Sequence, residues 1–187
     1  MAKVILGFTL SLDGFAEDIN HSVGPLYPDL ETLDNTEMMK ESIRNTGAVV
    51  MAWKEFAMAG DPDWYVGNYE YQAPIFVVTD RMPQKPPRET SELTFTFVTD
   101  GFESAIRQAR KAAGERDVSI IGSAATTQSC LRPGVVDELD IGIIPVLLHN
   151  GFRPFDGLDA AAIRLERTRV VELPFGRTHI RFLVTQV

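Results

Sequence analysis

The stretch VSIIGSAATTQSCLRPGVVDELDIGIIPVLL, residues 118–148, decides how the chain folds. Val118, Ile120 and Ile121 form a short apolar run of strand type, which Gly122 closes at a tight turn suited to a residue tolerant of unusual backbone angles. Ser123 stands where a helix N-cap belongs, and Pro133-Gly134 stops the helix that it opens. A second long apolar strand follows. A strand that runs through a glycine turn into a helix N-terminus aims unpaired backbone N–H groups at one spot, an anion site suited to a cofactor pyrophosphate. Crossovers that bind nothing have the same turn, so geometry alone leaves both readings open.

Outward from this stretch the chain reads as parallel strand–helix units. Lys3 to Leu12 is a strand apolar on both faces in its middle, which places it centrally in a sheet. Asp13-Gly14 is a turn, and Phe15 to Asp29, with Gly24-Pro25 and Pro28, is a long loop of the kind that forms lids. Leu30 to Arg44 has helix composition, with Leu30, Leu33, Met38, Met39 and Ile43 as its apolar stripe. Ala48–Met51, Pro74–Thr79 and Phe95–Val98 are short buried strands, and Trp53–Met58 starts a helix. Between them, residues 60–72 hold Trp64, Tyr65, Tyr69 and Tyr71, which suit a flat ligand, a subunit contact or a cap on the core. After Asp100-Gly101, the spacing of Phe102, Ala105, Ile106, Ala109 and Ala113 predicts a scaffold helix. Two alternating strands around Pro174-Phe175-Gly176 end the chain as an antiparallel hairpin. The expectation is one α/β domain over residues 1–187.

Composition excludes several classes. The net charge of −8 lacks the basic face of a general nucleic-acid binder and repels anionic membranes. One cysteine, Cys130, allows no internal disulfide, and three separated histidines offer no zinc spacing, so no metal is expected. Cys130 lies among apolar neighbours and reads as a core thiol. No apolar run approaches a membrane span, and the opening residues alternate like a strand instead of a signal peptide, so a cytoplasmic location is expected. No GxSxG, HExxH, CxxC, P-loop or GxGxxG motif occurs, and His21, His149 and His179 read as ordinary loop or strand residues. That poverty suits a reaction whose hard chemistry belongs to a cofactor.

Three motifs resemble one family in order. Thr9 to Asp18 (TLSLDGFAED) is similar to an opening strand and its Ser-Leu-Asp-Gly turn. Gly122-Ser123 with Val136-Asp137-Glu138-Leu139 resembles a glycine turn and the strand after its helix, and Leu147 to Leu158 (LLHNGFRPFDGL) resembles a late glycine loop. The family is the dihydrofolate reductase-like superfamily, in the branch of the C-terminal reductase domain of riboflavin biosynthesis. The resemblance implies a three-layer αβα fold with a mostly parallel sheet and an antiparallel C-terminal hairpin. It also implies an NADPH-dependent reductase that transfers hydride to a pterin- or pyrimidine-like heterocycle in riboflavin or folate chemistry, and a homodimer.

Carried over by position, the resemblance puts Thr9 and Ala16 beside the nicotinamide, and Ser11, Asp13 and Gly14 beside the substrate. Gly122, Ser123, Ala124, Ala125 and Thr126 would hold the pyrophosphate, with Thr79 and Arg81 near the adenosine phosphate. Asp13 is the carboxylate favoured for a catalytic role, although an Asx-type turn explains it equally well. Asp29, Glu31 and Asp34 share the region of a pterin-binding acid without aligning to one position. The sequence departs from the family at Ala52-Trp53-Lys54-Glu55, where relatives carry a Gly-Arg-x-Thr-like element. The bidentate arginine is gone, so Lys54 would serve a phosphate as a point charge and Trp53 would stack on adenine, while Glu55 would compete with phosphate for helix amides. A non-catalytic binding module with a degraded nucleotide site is the alternative.

Overall fold

The structure, a computed structural model, describes residues 2–159 and 161–187. Its centre is β1 (Val4–Ser11), which pairs in parallel with β5 (Asp117–Ile121) on one side and β6 (Glu138–Ile144) on the other. Beyond β5 lie β2 (Thr46–Ala52), β3 (Ile75–Val78) and β4 (Phe95–Val98), all parallel; beyond β6 the hairpin of β8 (Thr178–Gln186) and β7 (Ile163–Glu172) runs antiparallel. The eight-stranded order is β4-β3-β2-β5-β1-β6-β8-β7. Parallel neighbours need crossovers, and the helices supply them.

The period-two alternation of each strand divides the core. Val4, Leu6, Phe8 and Leu10 of β1, with Val118 and Ile120 of β5, pack with α5 (Phe102–Ala113) and α6 (Ala124–Leu131). Val49 and Met51 of β2, with Ile75 and Val77 of β3, face the other way and pack with Phe56, Tyr65 and Tyr71. That second layer comprises α1 (Leu30–Asp34), α2 (Glu37–Asn45), α3 (Trp53–Ala57) and α4 (Tyr65–Asn68). The sheet therefore lies between two helical layers. Cys130 is fully buried in the first, and desolvation pushes its thiol up to about 12.

Two local expectations change. The helix expected over Leu30–Arg44 is broken, because Thr36 takes an extended conformation (φ −72°, ψ 151°) and accepts a hydrogen bond from the Met39 amide at 3.2 Å. An N-cap inside the apolar stripe restarts the helix. Gly122 is required for space and not for its backbone angles: a Cβ there would lie 2.3 Å from the Thr126 side chain, and its φ is not positive.

One buried ion pair ties the C-terminal hairpin to the N-terminal loop. Arg177, with no exposed surface, donates from Nε to Asp29 Oδ2 at 2.7 Å and from one Nη to Asp29 Oδ1 at 2.6 Å. It also donates to the Leu26 carbonyl at 2.8 Å and the Thr9 hydroxyl at 3.0 Å. Asp29 is thus a structural carboxylate, which removes it from the acids able to meet a ligand; Arg177 holds its carboxyl below the usual range despite desolvation. Replacing Arg177 by leucine leaves that carboxylate buried and unpaired, with an expected loss of about 3–5 kcal/mol in urea unfolding at pH 7. Because the folded-state pKa is depressed, the pair's contribution is full above the unfolded value of about 3.9 and is lost as pH falls below it through the folded value, where Asp29 takes up its proton.

Candidate functional site

A cavity of about 770 Å³ lies between the sheet and the second helical layer. Its floor is the polar face of the central strands: Ile5, Gly7 and Thr9 of β1, Ser119 and Ile121 of β5, Asp140 of β6, and His179 and Arg181 of β8. Its roof is Tyr27, Leu33, Asp34, Met38, Met39 and Ser42, and its far wall runs from Trp64 to Tyr71. At the C-terminal ends of the strands it reaches Lys54, Glu55, Gly122 and Ser123. The volume suits two stacked rings, and the mixed apolar and polar lining is that of a small-molecule site.

The α6 N-terminus is already engaged by the protein's own carboxylates. The Ser123 amide donates to Glu55 Oε1 at 3.1 Å, and the Ala124 amide donates to Glu17 Oε1, also at 3.1 Å. Ser123 caps the helix by position, without a side-chain hydrogen bond. Glu17 is 2% exposed; its second oxygen pairs with the Lys54 ammonium and with His21 Nδ1 at 3.0 Å. Burial pushes the Glu17 carboxyl upward, but Lys54, His21 and the Ala124 amide outweigh it and hold the group below its ordinary value. His21 stacks on Phe152 at 3.8 Å, and Gly151 permits the close passage there, since a Cβ would lie 2.0 Å from the Glu17 carbonyl oxygen. Glu55 is held less completely: its Oε2 is buried with no hydrogen-bond partner among the described residues.

The residues singled out from the sequence divide into two groups. Thr9, Lys54, Gly122 and Ser123 border the cavity; Ser11, Asp13, Gly14, Ala16, Ala52, Trp53, Thr79, Arg81, Ala124, Ala125 and Thr126 do not. Asp13 is a latch. Its two oxygens accept the Leu148 and His149 amides at 3.1 and 2.8 Å. Its carboxyl is lowered to about 2, first by hydrogen bonding with Ser11 and then by those amides. The Ser11 hydroxyl accepts the Phe15 amide at 3.0 Å, so it builds the same turn. Thr79 hydrogen-bonds the backbone of Arg81, whose guanidinium lies 5.1 Å from the Trp53 ring centre. Trp53 packs between Phe56 and Phe97, with centroids at 5.4 and 6.5 Å. That face of the indole is taken by Arg81, and Lys54 is paired with Glu17, which changes the roles the sequence suggested for both.

Sequence reasoning missed Glu17, Glu70, Asp140, Arg177 and Arg181. Asp140 accepts from Arg181 Nε at 3.1 Å and faces His179 Nδ1 at 3.3 Å; burial raises its carboxyl, and these two neighbours more than reverse that. On the far wall, desolvation raises Glu70 to about 7, with Asp34 adding to the rise, and the Tyr69 hydroxyl is buried without a partner among the described residues. Tyr71 shares a 2.9 Å hydrogen bond with Ser42, and burial pushes it up to about 12. The aromatic segment thus both caps the core and lines the cavity. The one available signal was polar residues at alternate positions of β6 and β8; the register that gathers them was not visible.

An α/β sheet with a cavity over the polar face of its central strands is an architecture suited to holding a small molecule. The chain belongs to the RibD C-terminal domain family, which matches residues 2–176. Among solved structures it is similar to a candidate riboflavin biosynthesis protein from Shewanella sp. PV-4 (TM-score 0.74, 18% identity, covering 98% of this chain and 99% of that one). A pyrimidine reductase-like protein from Corynebacterium diphtheriae matches at TM-score 0.64 and 13% identity, over 100% of this chain and 93% of that one. A Thermotoga maritima diaminohydroxyphosphoribosylaminopyrimidine deaminase/5-amino-6-(5-phosphoribosylamino)uracil reductase matches at TM-score 0.69 and 13% identity, covering 98% of this chain but only 57% of its own. No curated protein matches the sequence. Among the described residues no helix is long and apolar enough to cross a membrane.

Glu55 is the removable member of the carboxylate pair. Glu55→Ala frees the Ser123 amide and deletes one negative charge beside it, so inorganic pyrophosphate should bind about tenfold more tightly by calorimetry, about 1.4 kcal/mol. Equal affinity in both proteins would show that these amides do not receive the anion.

Proposed function

We propose that the protein is an NADPH-dependent reductase that transfers hydride to a pyrimidine- or pterin-like heterocycle held in the cavity. The observation that carries this reading is the cavity itself: room for two rings on the polar face of β1, β5 and β6, in a chain of the RibD C-terminal domain family. When bound, NADPH supplies the hydride, and the protein's part is to bind, orient and exclude water. Tyr27, Leu33, Met38 and Met39 provide the apolar cover, and Thr9, Asp140 and Glu70 provide polar contacts at floor and wall. The ring-binding space fits the cofactor. Its phosphates fit only if Glu55, the less fully bonded of the two carboxylates, leaves the α6 amides. Titration of nicotinamide fluorescence tests the reading: saturable NADPH binding is expected, and no binding of NADPH or NADH at millimolar concentration would defeat it.

The occupied amides favour a second reading, a binding module that keeps the cavity without the nucleotide. Turnover of NADPH with any heterocycle decides against it.

The same family reading implies a homodimer. The hairpin supports it: Leu165 and Val170 of β7 are 43% and 48% exposed, and they share a sheet face with their partners Val184 and Ile180 of β8. Such an apolar face is commonly covered in an assembly. Light scattering should give twice the chain mass, and Leu165→Asp with Val170→Asp should give the monomer.

A further inference from the structure

We propose that the cavity admits an unphosphorylated heterocycle, a free base or a riboside, and turns away the same ring carrying a phosphate. This rests on the heterocycle reading of the cavity and is independent of the cofactor. Lys54 and Arg181 are the cations that border the cavity, and the protein's own carboxylates engage both. Lys54 pairs with Glu17, a carboxylate that is 2% exposed and is otherwise met by His21 and the Ala124 amide. Arg181 donates from Nε to Asp140 at 3.1 Å, pairs with it again through Nη2, and lies 3.9 Å from Glu138. The His179 imidazole faces the same Asp140. Arg169 borders a small adjoining recess and is held by both oxygens of Glu41, at 3.0 and 2.9 Å.

The acids are not balanced in the same way. Asp34, Glu55, Glu70 and Asp117 also border the cavity, and none of them forms an ion pair among the described residues. One oxygen of Glu55 is buried with no hydrogen-bond partner among those residues. A phosphate entering this space meets carboxyl groups and no free counter-charge. To gain a cation it must break the Lys54–Glu17 or the Arg181–Asp140 pair, and either break strands a carboxylate away from water. Stripping the phosphate itself of water without a cation is costly for the same reason. The lining suits an uncharged ligand rich in N–H and O–H groups instead. Carboxylate oxygens accept such donors, and Thr9 and Tyr69 bring hydroxyls, that of Tyr69 buried without a partner among the described residues.

Calorimetric titration of the whole protein with uridine and with uridine 5′-monophosphate, without NADPH, tests this. Uridine should bind about tenfold more tightly than its phosphate at low salt. Raising sodium chloride from about 50 mM to about 500 mM should tighten the monophosphate about threefold by screening the acids, and leave uridine unchanged. A phosphate seated on a cation would weaken with salt instead. Glu17→Gln keeps an acceptor for the Ala124 amide, deletes the charge and frees Lys54. It should tighten the monophosphate about tenfold and leave uridine within about twofold. Glu55→Gln removes a charge that borders the cavity and should act in the same direction, by about threefold. Should Glu17→Gln fail to fold, Glu55→Gln and the sign of the salt dependence decide. Tighter binding of the monophosphate than of uridine, or a monophosphate affinity that falls with salt, would overturn the proposal and leave the heterocycle reading standing. Binding of neither at millimolar concentration would remove the heterocycle reading, and this proposal with it.

Discussion

The ion pair between Arg177 and Asp29 joins parts of the chain that are 148 residues apart, and both partners are buried. Its cost is desolvation of two charges, and the geometry meets that cost: two hydrogen bonds to the carboxylate, one to the Leu26 carbonyl and one to Thr9. Everything over the cavity follows from it. Asp29 is the N-terminal boundary of α1, so fixing its carboxylate fixes where the roof helices begin. Arg177 immediately precedes β8, so the same contact anchors the start of the strand that carries His179 and Arg181 into the floor. The Thr9 hydroxyl, which the family resemblance directs at a nicotinamide, is oriented by this arginine before any ligand arrives.

A second constraint acts at the strand ends. A helix N-terminus near 0.5 of a positive charge demands an acceptor, and water, a phosphate or a carboxylate can meet the demand. Here Glu17 meets it from the loop after β1 and Glu55 from α3. Once Glu17 is buried, Lys54 is needed to compensate its charge, and the lysine is then no longer a free cation for phosphate. The departure at residues 52–55 is thus not four separate substitutions. Lys54 serves the carboxylate of Glu17, Glu55 serves the Ser123 amide, and Trp53 lies under Arg81 in an aromatic cluster with Phe56 and Phe97.

The architecture was legible because it rests on periodicity. Alternation in residues 3–12 and 163–187, the helix spacing of residues 102–113 and the Gly122 turn gave the sheet, its flanks and its closing hairpin. The site was less legible, for a physical reason. Glu17, Asp140, His179 and Arg177 become significant only through pairings across the sheet, which depend on register and not on local pattern. Asp13 is the opposite case: a residue in a recognisable motif whose two carboxylate oxygens accept the Leu148 and His149 amides, contacts no local pattern announces. The broken helix at Thr36 belongs to the same class, since a cap can be distinguished from an interior threonine only by the conformation that the surrounding packing imposes.

What remains is a cavity in which two of the lining carboxyls, Asp140 and Glu70, are driven in opposite directions by their neighbours. Asp140, on the floor, is half-buried and faces an arginine and a histidine, which hold its carboxyl below the ordinary range despite desolvation. Glu70, on the wall, is half-buried between Tyr69 and Tyr71, and desolvation, with Asp34 adding to it, raises its carboxyl to about 7. Environments of these two kinds push the pKa values of like groups apart. Asp140 is internally compensated by His179 and Arg181, so it organises the floor without repelling an electron-rich ring. Glu70 has no such compensation among the described residues, so desolvation is what governs its carboxyl.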